Sequence, residues 1–329
     1  MVIDNDFFMA LAIKEAWKYQ GLTYPNPAVG CTMVGKHQEI LAVEAHQKAG
    51  QPHAEVNALK FAYFKLTNDK SILKLEKSQD IHNFLLQNHN DIFSGASIYT
   101  TLEPCSHIGK TPSCASLISQ LGIRKLFVGS NDFNKIASNG NKIVKDAGVE
   151  VVNSILEKEC DELLEPFKKW QTKNFVFFKM AQRLDGSTDG KVSSLESRKT
   201  VHTMRDVCDL LVIGGNTVRV DRPTLDARLV DGKAPDILII SRQKEFDKTI
   251  PLFNVEGRKV FIESDFKRLD DYKNIMIEGT QNMFELSKPY VDYYLHYVAS
   301  KLDVLNIQKN SDIVLWMKYN LCYNSTDTN

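Results

Sequence analysis

A chain of 329 residues exceeds one average domain and suits two of about 150 residues each. Hydrophobic residues make up 43% and charged residues 25%, a balance that excludes wholesale disorder and supplies material for buried cores. Lys plus Arg and Asp plus Glu both number 41, so no broad electrostatic footprint for nucleic acid or an anionic membrane is expected, and a small-molecule partner is favoured.

The N-terminus carries Asp4 and Asp6 where a secretory signal carries base, and no apolar run approaches the roughly 18 residues of a membrane span. A cytoplasmic location is expected. The six cysteines, at 31, 105, 114, 160, 208 and 322, are too scattered for a disulfide framework. Only Cys105 and Cys114 cluster, and the other four read as small buried hydrophobes.

In chain order, Phe7, Phe8, Leu11, Ala12, Ala16 and Tyr19 recur at helical spacing, Pro25-Asn26-Pro27 stops that helix, and 29–34 reads as a strand. His53 follows Pro52 and opens a helical pattern through Val56, Leu59 and Ala62. Residues 65–94 are rich in Lys, Asp, Asn and Gln, with Ile72, Leu75, Ile81, Leu85 and Leu86 at loosely helical spacing, and read as a surface insertion. A short buried strand at 98–101 runs into Pro104-Cys105. Cys114 leads a helix through Leu117, Ile118 and Leu121, followed by a strand at 125–128, a helix at 142–147 and a strand at 149–152.

Such alternation implies an α/β layered sheet. An amphipathic helix at 157–173 bridges onward from a boundary placed near residue 153, which gives domains of 1–153 and 154–329. Apolar strands at 176–180, 210–213, 237–240, 259–262, 275–277 and 293–298 make a second α/β domain, with no internal repeat joining it to the first.

His53, Cys105 and Cys114 offer one imidazole and two thiolates, a soft mixed set that suits zinc. Three protein ligands leave one position open, where zinc lowers the pKa of a bound water from about 15.7 to about 7. Glu55, two residues from His53, does not share its helical stripe and is better placed to flank the metal than to bind it. It is the candidate shuttle that takes a proton from water and gives it to a leaving amine. His-x-Glu followed by Pro-Cys is the signature of zinc deaminases, with eight residues between the two cysteines here rather than two. The bland alternatives are a structural zinc site closed by a fourth ligand such as His107, or no zinc; a structural site has little use for an adjacent glutamate.

The motifs Pro25-Asn26-Pro27-Ala28-Val29-Gly30-Cys31, Pro52-His53-Ala54-Glu55 and Thr101-Leu102-Glu103-Pro104-Cys105 through Lys110 to Cys114 resemble those of the bifunctional riboflavin-biosynthesis deaminase/reductases. The wide cysteine loop is specific to that family. The resemblance implies a cytidine-deaminase-like three-layer domain that removes the ring 2-amino group of 2,5-diamino-6-ribosylamino-4(3H)-pyrimidinone 5′-phosphate. It also implies that Asn26, His46, Lys110 and Asn134 hold the ribose phosphate, a dianion for which lysine is apt. Two departures stand out: Asp132-Phe133-Asn134-Lys135 where the family has Asp-Pro-Asn-Pro, and the long stretch 65–94.

Lys179 through Gly186, Gly214-Gly215-Asn216-Thr217-Val218 and Asp221-Arg222-Pro223-Thr224-Leu225 to Arg228 resemble the reductase half of the same family, and Glu278-Gly279-Thr280 is similar to its later glycine-bearing turn. This resemblance implies a dihydrofolate-reductase-like domain that delivers hydride from NADPH to the ribosyl carbon, opening the sugar to a ribityl chain. It puts Ala181, Thr217, Asp221, Ser241 and Thr280 at cofactor positions and Arg205, Leu225, Arg228 and Glu278 at substrate positions. Independently, Gly214-Gly215 after a buried strand lets a backbone approach a phosphate, although such a turn alone also occurs with nothing bound. The family's Ser-x-Trp-Ile-Thr segment is missing, and Gly190-Lys191-Val192-Ser193 stands in a shortened stretch.

The expected cofactors are therefore zinc and NADPH. The expected partners are a pyrimidine ribosyl phosphate and further copies of the chain in a homo-oligomer, with no nucleic acid and no membrane. Two rival readings are a monofunctional deaminase with a degenerate reductase domain, and a non-catalytic zinc-stabilised interaction protein.

Overall fold

The computed structural model describes residues 3–106, 112–132, 139–188, 192–299 and 313–318. The chain divides into two compact units, Met1–Lys168 and Lys169–Asn329. Among the described residues no helix is long and apolar enough to cross a membrane.

The first unit runs α1 (Asn5–Trp17), β1 (Gly30–Val34), β2 (Ile40–Ala45), α2 (Ala54–Thr67), α3 (Ser78–Asn88), β3 (Ser97–Leu102), α4 (Cys114–Gln120), β4 (Lys125–Ser130), α5 (Gly140–Asp146) and β5 (Glu150–Val152). It closes in α6 (Glu157–Thr172), within which the division between units falls. Asp4 starts α1 by accepting the Phe7 N–H at 3.0 Å, an ordinary side-chain cap. The strands order as β2-β1-β3-β4-β5, with β1 antiparallel to both neighbours and β3, β4 and β5 parallel.

Side chains alternate across this sheet. Cys31, Met33, Ile98, Leu126 and Val128 pack with Val56, Leu59, Leu117 and Ile118 of α2 and α4. Val34, Tyr99 and Phe127 face the other way, onto Phe8, Met9 and Ile13 of α1 and Cys160 of α6. Helices thus cover both faces, giving the three layers expected. Gly30 is required at the start of β1, because a Cβ there would stand 1.9 Å from the Ala12 carbonyl oxygen of α1.

Residues 65–94, expected to lie on the surface, bury one stripe of side chains in the core. Ile72, Ile81, Leu85 and Phe93 are fully buried in the same core as the sheet, and Phe84 meets Tyr63 edge to face at 5.3 Å. Their polar composition belongs to the outer side of α3, since a helix that buries one stripe leaves most of its positions in water. The sequence reading also passed over β2, whose Ala42, Glu44 and Ala45 have low strand propensity and become a strand by pairing with β1.

The second unit runs β6 (Phe175–Arg183), α7 (Leu195–Val207), β7 (Leu210–Gly214), α8 (Gly215–Asp221), β8 (Asp236–Ile240), β9 (Val260–Glu263), β10 (Asn274–Glu278), α9 (Gln281–Ser287), β11 (Tyr293–Ala299) and β12 (Ile313–Lys318). Its sheet orders as β12-β11-β6-β10-β7-β8-β9, parallel except where β12 pairs antiparallel with β11. Residues 175–178, 210–213 and 275–277 are buried without alternation, as parallel strands covered on both faces require. The carboxyl ends of such strands are where open α/β sheets bind ligands.

Candidate active sites of the two units

The local sequence brings the metal-ligand candidates together at element ends. His53 is the extended residue that starts α2, Cys105 follows β3, and Cys114 is the first residue of α4. Ser113 caps α4 by accepting the Ser116 N–H and donates its own hydroxyl to the Cys105 carbonyl at 2.8 Å. The Ala115 N–H also reaches that carbonyl at 3.2 Å, while the Cys114 N–H points at the Cys105 sulfur at 3.4 Å. The opening turn of α4 is thereby tied to Cys105.

The ligand atoms of His53, Cys105 and Cys114 lie within 4.8 Å of one another. His53 Nδ1 stands 3.6 Å from Cys105 Sγ and 3.4 Å from Cys114 Sγ. A tetrahedral zinc at about 2.3 Å from sulfur and about 2.0 Å from nitrogen sets those atoms about 3.5 Å apart, so the donor set fits zinc in kind and in spacing. The Cys105 thiol is pushed down to about 4, chiefly through its hydrogen bond with Cys114, and the same bond together with burial pushes Cys114 up. One thiolate is therefore at hand, and the pair releases its second proton when a cation binds.

Glu55, in the first turn of α2, is 4% exposed. Burial raises its carboxyl to about 7 against the opposing pull of His53, and it hydrogen-bonds the Cys114 thiol. A carboxyl poised near neutrality can take and return a proton at working pH.

His46 and Asn26 also converge here. The His46 ring lies 5.4 Å from that of His53. Its Nδ1 faces the Pro52 carbonyl at 3.0 Å, so Nδ1 carries the proton and Nε2 accepts from the Asn26 amide at 3.1 Å. Burial lowers His46 to about 4, which keeps the ring neutral in this arrangement.

Two residues that the sequence reading left without a role organise the surroundings. Asn57 donates to the Ala45 carbonyl at 3.0 Å and so fixes the start of α2 to the end of β2. Buried Glu103 accepts the backbone N–H groups of Asp132 at 3.1 Å and Asn141 at 3.0 Å, the two points between which the chain carries Asn134. Gly140 lets α5 approach, since a Cβ there would meet the Pro104 carbonyl oxygen at 1.7 Å. His107, Lys110 and Asn134 themselves lie outside the described residues.

In the second unit, Arg205 of α7 and Glu278 at the end of β10 form a forked pair. Nε and Nη2 lie 3.0 and 2.9 Å from Oε1, and Nη2 lies 3.0 Å from Oε2. Strand register sets Lys179 beside Glu278. Burial works to raise the Glu278 carboxyl, but Arg205 and Lys179 outweigh it and hold the group below its ordinary range. Burial lowers the Lys179 ammonium, with Glu278 opposing. Lys179 is a member of this cluster to which its motif alone assigned no part.

Leu225 is buried with a left-handed φ of 57°, a costly backbone for a branched side chain. Arg258 steadies it by donating to the Thr224 carbonyl at 2.8 Å and to that of Leu225. Arg228 is exposed and pairs with Asp226. Ala181 lies late in β6, Thr217 in α8, Ser241 just past β8 and Thr280 at the cap of α9, all at the carboxyl side of the sheet. Asp221 is exposed at the last turn of α8.

Residues 3–130 match the cytidine and deoxycytidylate deaminase zinc-binding region, and residues 174–293 match the RibD C-terminal domain. Fold and site together define a zinc-dependent deaminase joined to a reductase domain. The riboflavin biosynthesis protein RibD of Actinobacillus pleuropneumoniae is 36% identical over 284 residues, which cover 82% of this chain and 68% of that protein. The RibD of Aquifex aeolicus is 34% identical over 264 residues, covering 77% of this chain and 66% of that protein. This chain thus spans about two thirds of the length of these curated relatives.

The solved structure of a diaminohydroxyphosphoribosylaminopyrimidine deaminase/5-amino-6-(5-phosphoribosylamino)uracil reductase from Thermotoga maritima superposes with a TM-score of 0.59 at 26% identity, covering 93% of this chain and 89% of that one. The chain belongs to the RibD family of riboflavin-biosynthesis deaminase/reductases.

Proposed function

We propose that this chain catalyses two successive steps of riboflavin biosynthesis. Residues 1–153 deaminate the diaminopyrimidinone ribosyl phosphate, and residues 154–329 reduce the resulting ribosyl group to ribityl with NADPH. The observation that carries the reading is the convergence of His53, Cys105 and Cys114 at zinc-ligand spacing beside the buried, near-neutral Glu55.

Bound there, zinc supplies the Lewis acidity that makes water nucleophilic at neutral pH. Glu55 takes the proton of that water on its carboxylate and returns it to the leaving amine. Its burial limits exchange of that proton with solvent. Asn26 and His46 hold the ribose phosphate together with Lys110 and Asn134, and the neutral His46 ring fixes the Asn26 amide.

In the second unit NADPH supplies the hydride when bound. Gly214-Gly215, Thr217, Ser241 and Thr280 fit such a group because they gather at the carboxyl side of a parallel sheet, and Ala181 and Asp221 complete the cofactor set. Arg205, Glu278, Leu225 and Arg228 take the substrate. A buried charge cluster of the Arg205–Glu278–Lys179 kind is no better for stability than well-packed apolar side chains, which argues against a second unit kept only for packing. A homo-oligomeric assembly and a cytoplasmic location belong to the same proposal.

The test is a two-part turnover assay on zinc-loaded protein, following ammonia release and then NADPH oxidation. Ammonia release that Glu55→Gln lowers by about 10²–10⁴-fold, followed by NADPH consumption, is the expected result. Ammonia without NADPH oxidation would reduce the proposal to a deaminase with a degenerate second unit. No ammonia from metallated protein would sink it.

A further inference from the structure

We propose that Arg219 is the residue with which this chain selects NADPH over NADH, its guanidinium receiving the phosphate on the 2′ oxygen of the adenosine ribose. The proposal rests on the reductase reading of the second unit and deepens it.

The first observation is packing. α8 begins directly after β7, and a Cβ on Gly215 would stand 2.7 Å from Ser241 Cβ and Oγ and 3.1 Å from the Phe246 ring. With glycine there, the start of α8 seats against the segment that follows β8. Arg219, one turn further on, then lies over that same segment. Its Nη2 donates to Ser241 Oγ at 3.2 Å, and its guanidinium carbon stands 4.3 Å from the centroid of Phe246.

The second observation is charge. Four arginines of the unit are neutralised inside it: Arg205 by Glu278, Arg222 by Asp247, Arg228 by Asp226 and Arg268 by Glu263. Among the described residues, no carboxylate lies within ion-pair distance of Arg219. A half-buried guanidinium stacked on an aromatic face and oriented by a hydroxyl, yet left with unspent positive charge, presents a planar fork to an anion with oxygens to bridge.

The third observation is position. In open α/β sheets the dinucleotide pyrophosphate sits at the turn after one strand and the adenosine ribose at the end of the next; an acid there binds a free 2′ hydroxyl, whereas an arginine accommodates a 2′ phosphate. Here the turn is Gly214-Gly215 and the next strand is β8. The residues that follow β8 are Ser241-Arg242-Gln243-Lys244-Glu245-Phe246, in which the bases Arg242 and Lys244 stand nearer the strand end than the one acid, Glu245. Arg219 comes across from α8 to that place.

The test titrates the full-length protein with NADPH, NADH, 2′,5′-ADP and 5′-AMP by calorimetry, which needs no turnover. Wild type should bind NADPH more tightly than NADH, and 2′,5′-ADP more tightly than 5′-AMP. Arg219→Ala should weaken NADPH and 2′,5′-ADP by about 10- to 100-fold, the range for hydrogen bonds to a charged group, and leave NADH unchanged. Arg219→Lys, which keeps the charge without the fork, should fall between. An unaltered melting temperature of the second unit in each variant verifies that the unit carrying Arg219 is folded.

If Arg219→Ala weakens NADPH and NADH alike, or neither, the assignment of Arg219 is wrong while the reductase reading stands. If wild type binds none of the four compounds, both fall together.

Discussion

The two units keep charge out of water in opposite ways. In the deaminase unit the donors converge: an imidazole and two thiols point at one spot, and Glu55 beside them is raised by burial. In the reductase unit Arg205, Glu278 and Lys179 balance one another, and Glu278 is held below its ordinary range. Convergent lone-pair donors define a place for a cation, whereas a balanced cluster is a pre-oriented polar surface for a substrate. The first arrangement spends stability until its metal arrives; the second holds itself together.

Metal removal tests that contrast most severely. Stripping zinc with a chelator, or replacing Cys105 with Ser, should abolish ammonia release and lower the melting temperature of the deaminase unit, because metal binding free energy is also folding free energy. NADPH binding by the second unit should persist. Loss of both functions together would mean that the units are not independent in this respect.

Glu278→Ala attacks the balanced side. It strands Arg205 and Lys179 in a buried site, and removal of one partner from a buried pair costs about 3–5 kcal/mol. Calorimetric melting should show the reductase transition moving down while the deaminase transition stays. The double variant Glu278→Ala with Arg205→Met should recover part of that stability and none of the NADPH oxidation.

A smaller effect belongs to His82, on the stretch first read as a surface insertion. It is 4% exposed, its Nε2 has no hydrogen-bond partner, and burial lowers it from 6.5 to about 4. The folded pKa lies below the unfolded one, so the stability this neutral ring contributes is complete above pH 6.5 and is lost as pH falls toward 4. A gap of that size corresponds to about 3 kcal/mol at most. His82→Leu should flatten the pH dependence of the deaminase melting temperature over this window, and an unchanged slope would refute the assignment.

The smallest expected change is at Glu103. Glu103→Gln keeps the shape but leaves one acceptor oxygen for two backbone N–H groups, so one hydrogen bond is lost and the other loses its charge, for a loss of about 1–3 kcal/mol. Because those bonds secure the points from which the Asn134 segment departs and returns, KM for the ribosyl phosphate should rise by several-fold more than kcat falls. Equal changes in both would assign Glu103 to general stability.

What could be read from the chain alone follows from how far apart the relevant residues lie. His53 and Glu55 share a turn, Cys105 and Cys114 share a loop, and apolar runs such as 175–178 and 210–213 declare buried strands by composition. Local spacing therefore determined the layered α/β architecture, the zinc ligands and the role proposed for Glu55.

The rest was decided by tertiary structure. The core packing of residues 65–94 was invisible because a one-stripe helix has mostly polar residues, and β2 because pairing supplied what its alanines lacked. The neutral tautomer of His46, the double grip of Glu103, the grouping of Lys179 with Arg205 and Glu278, and the approach of Arg219 to Ser241 join residues 22 to 99 positions apart or depend on backbone atoms. Chain folding makes those distances short, and one-dimensional spacing carries no record of them.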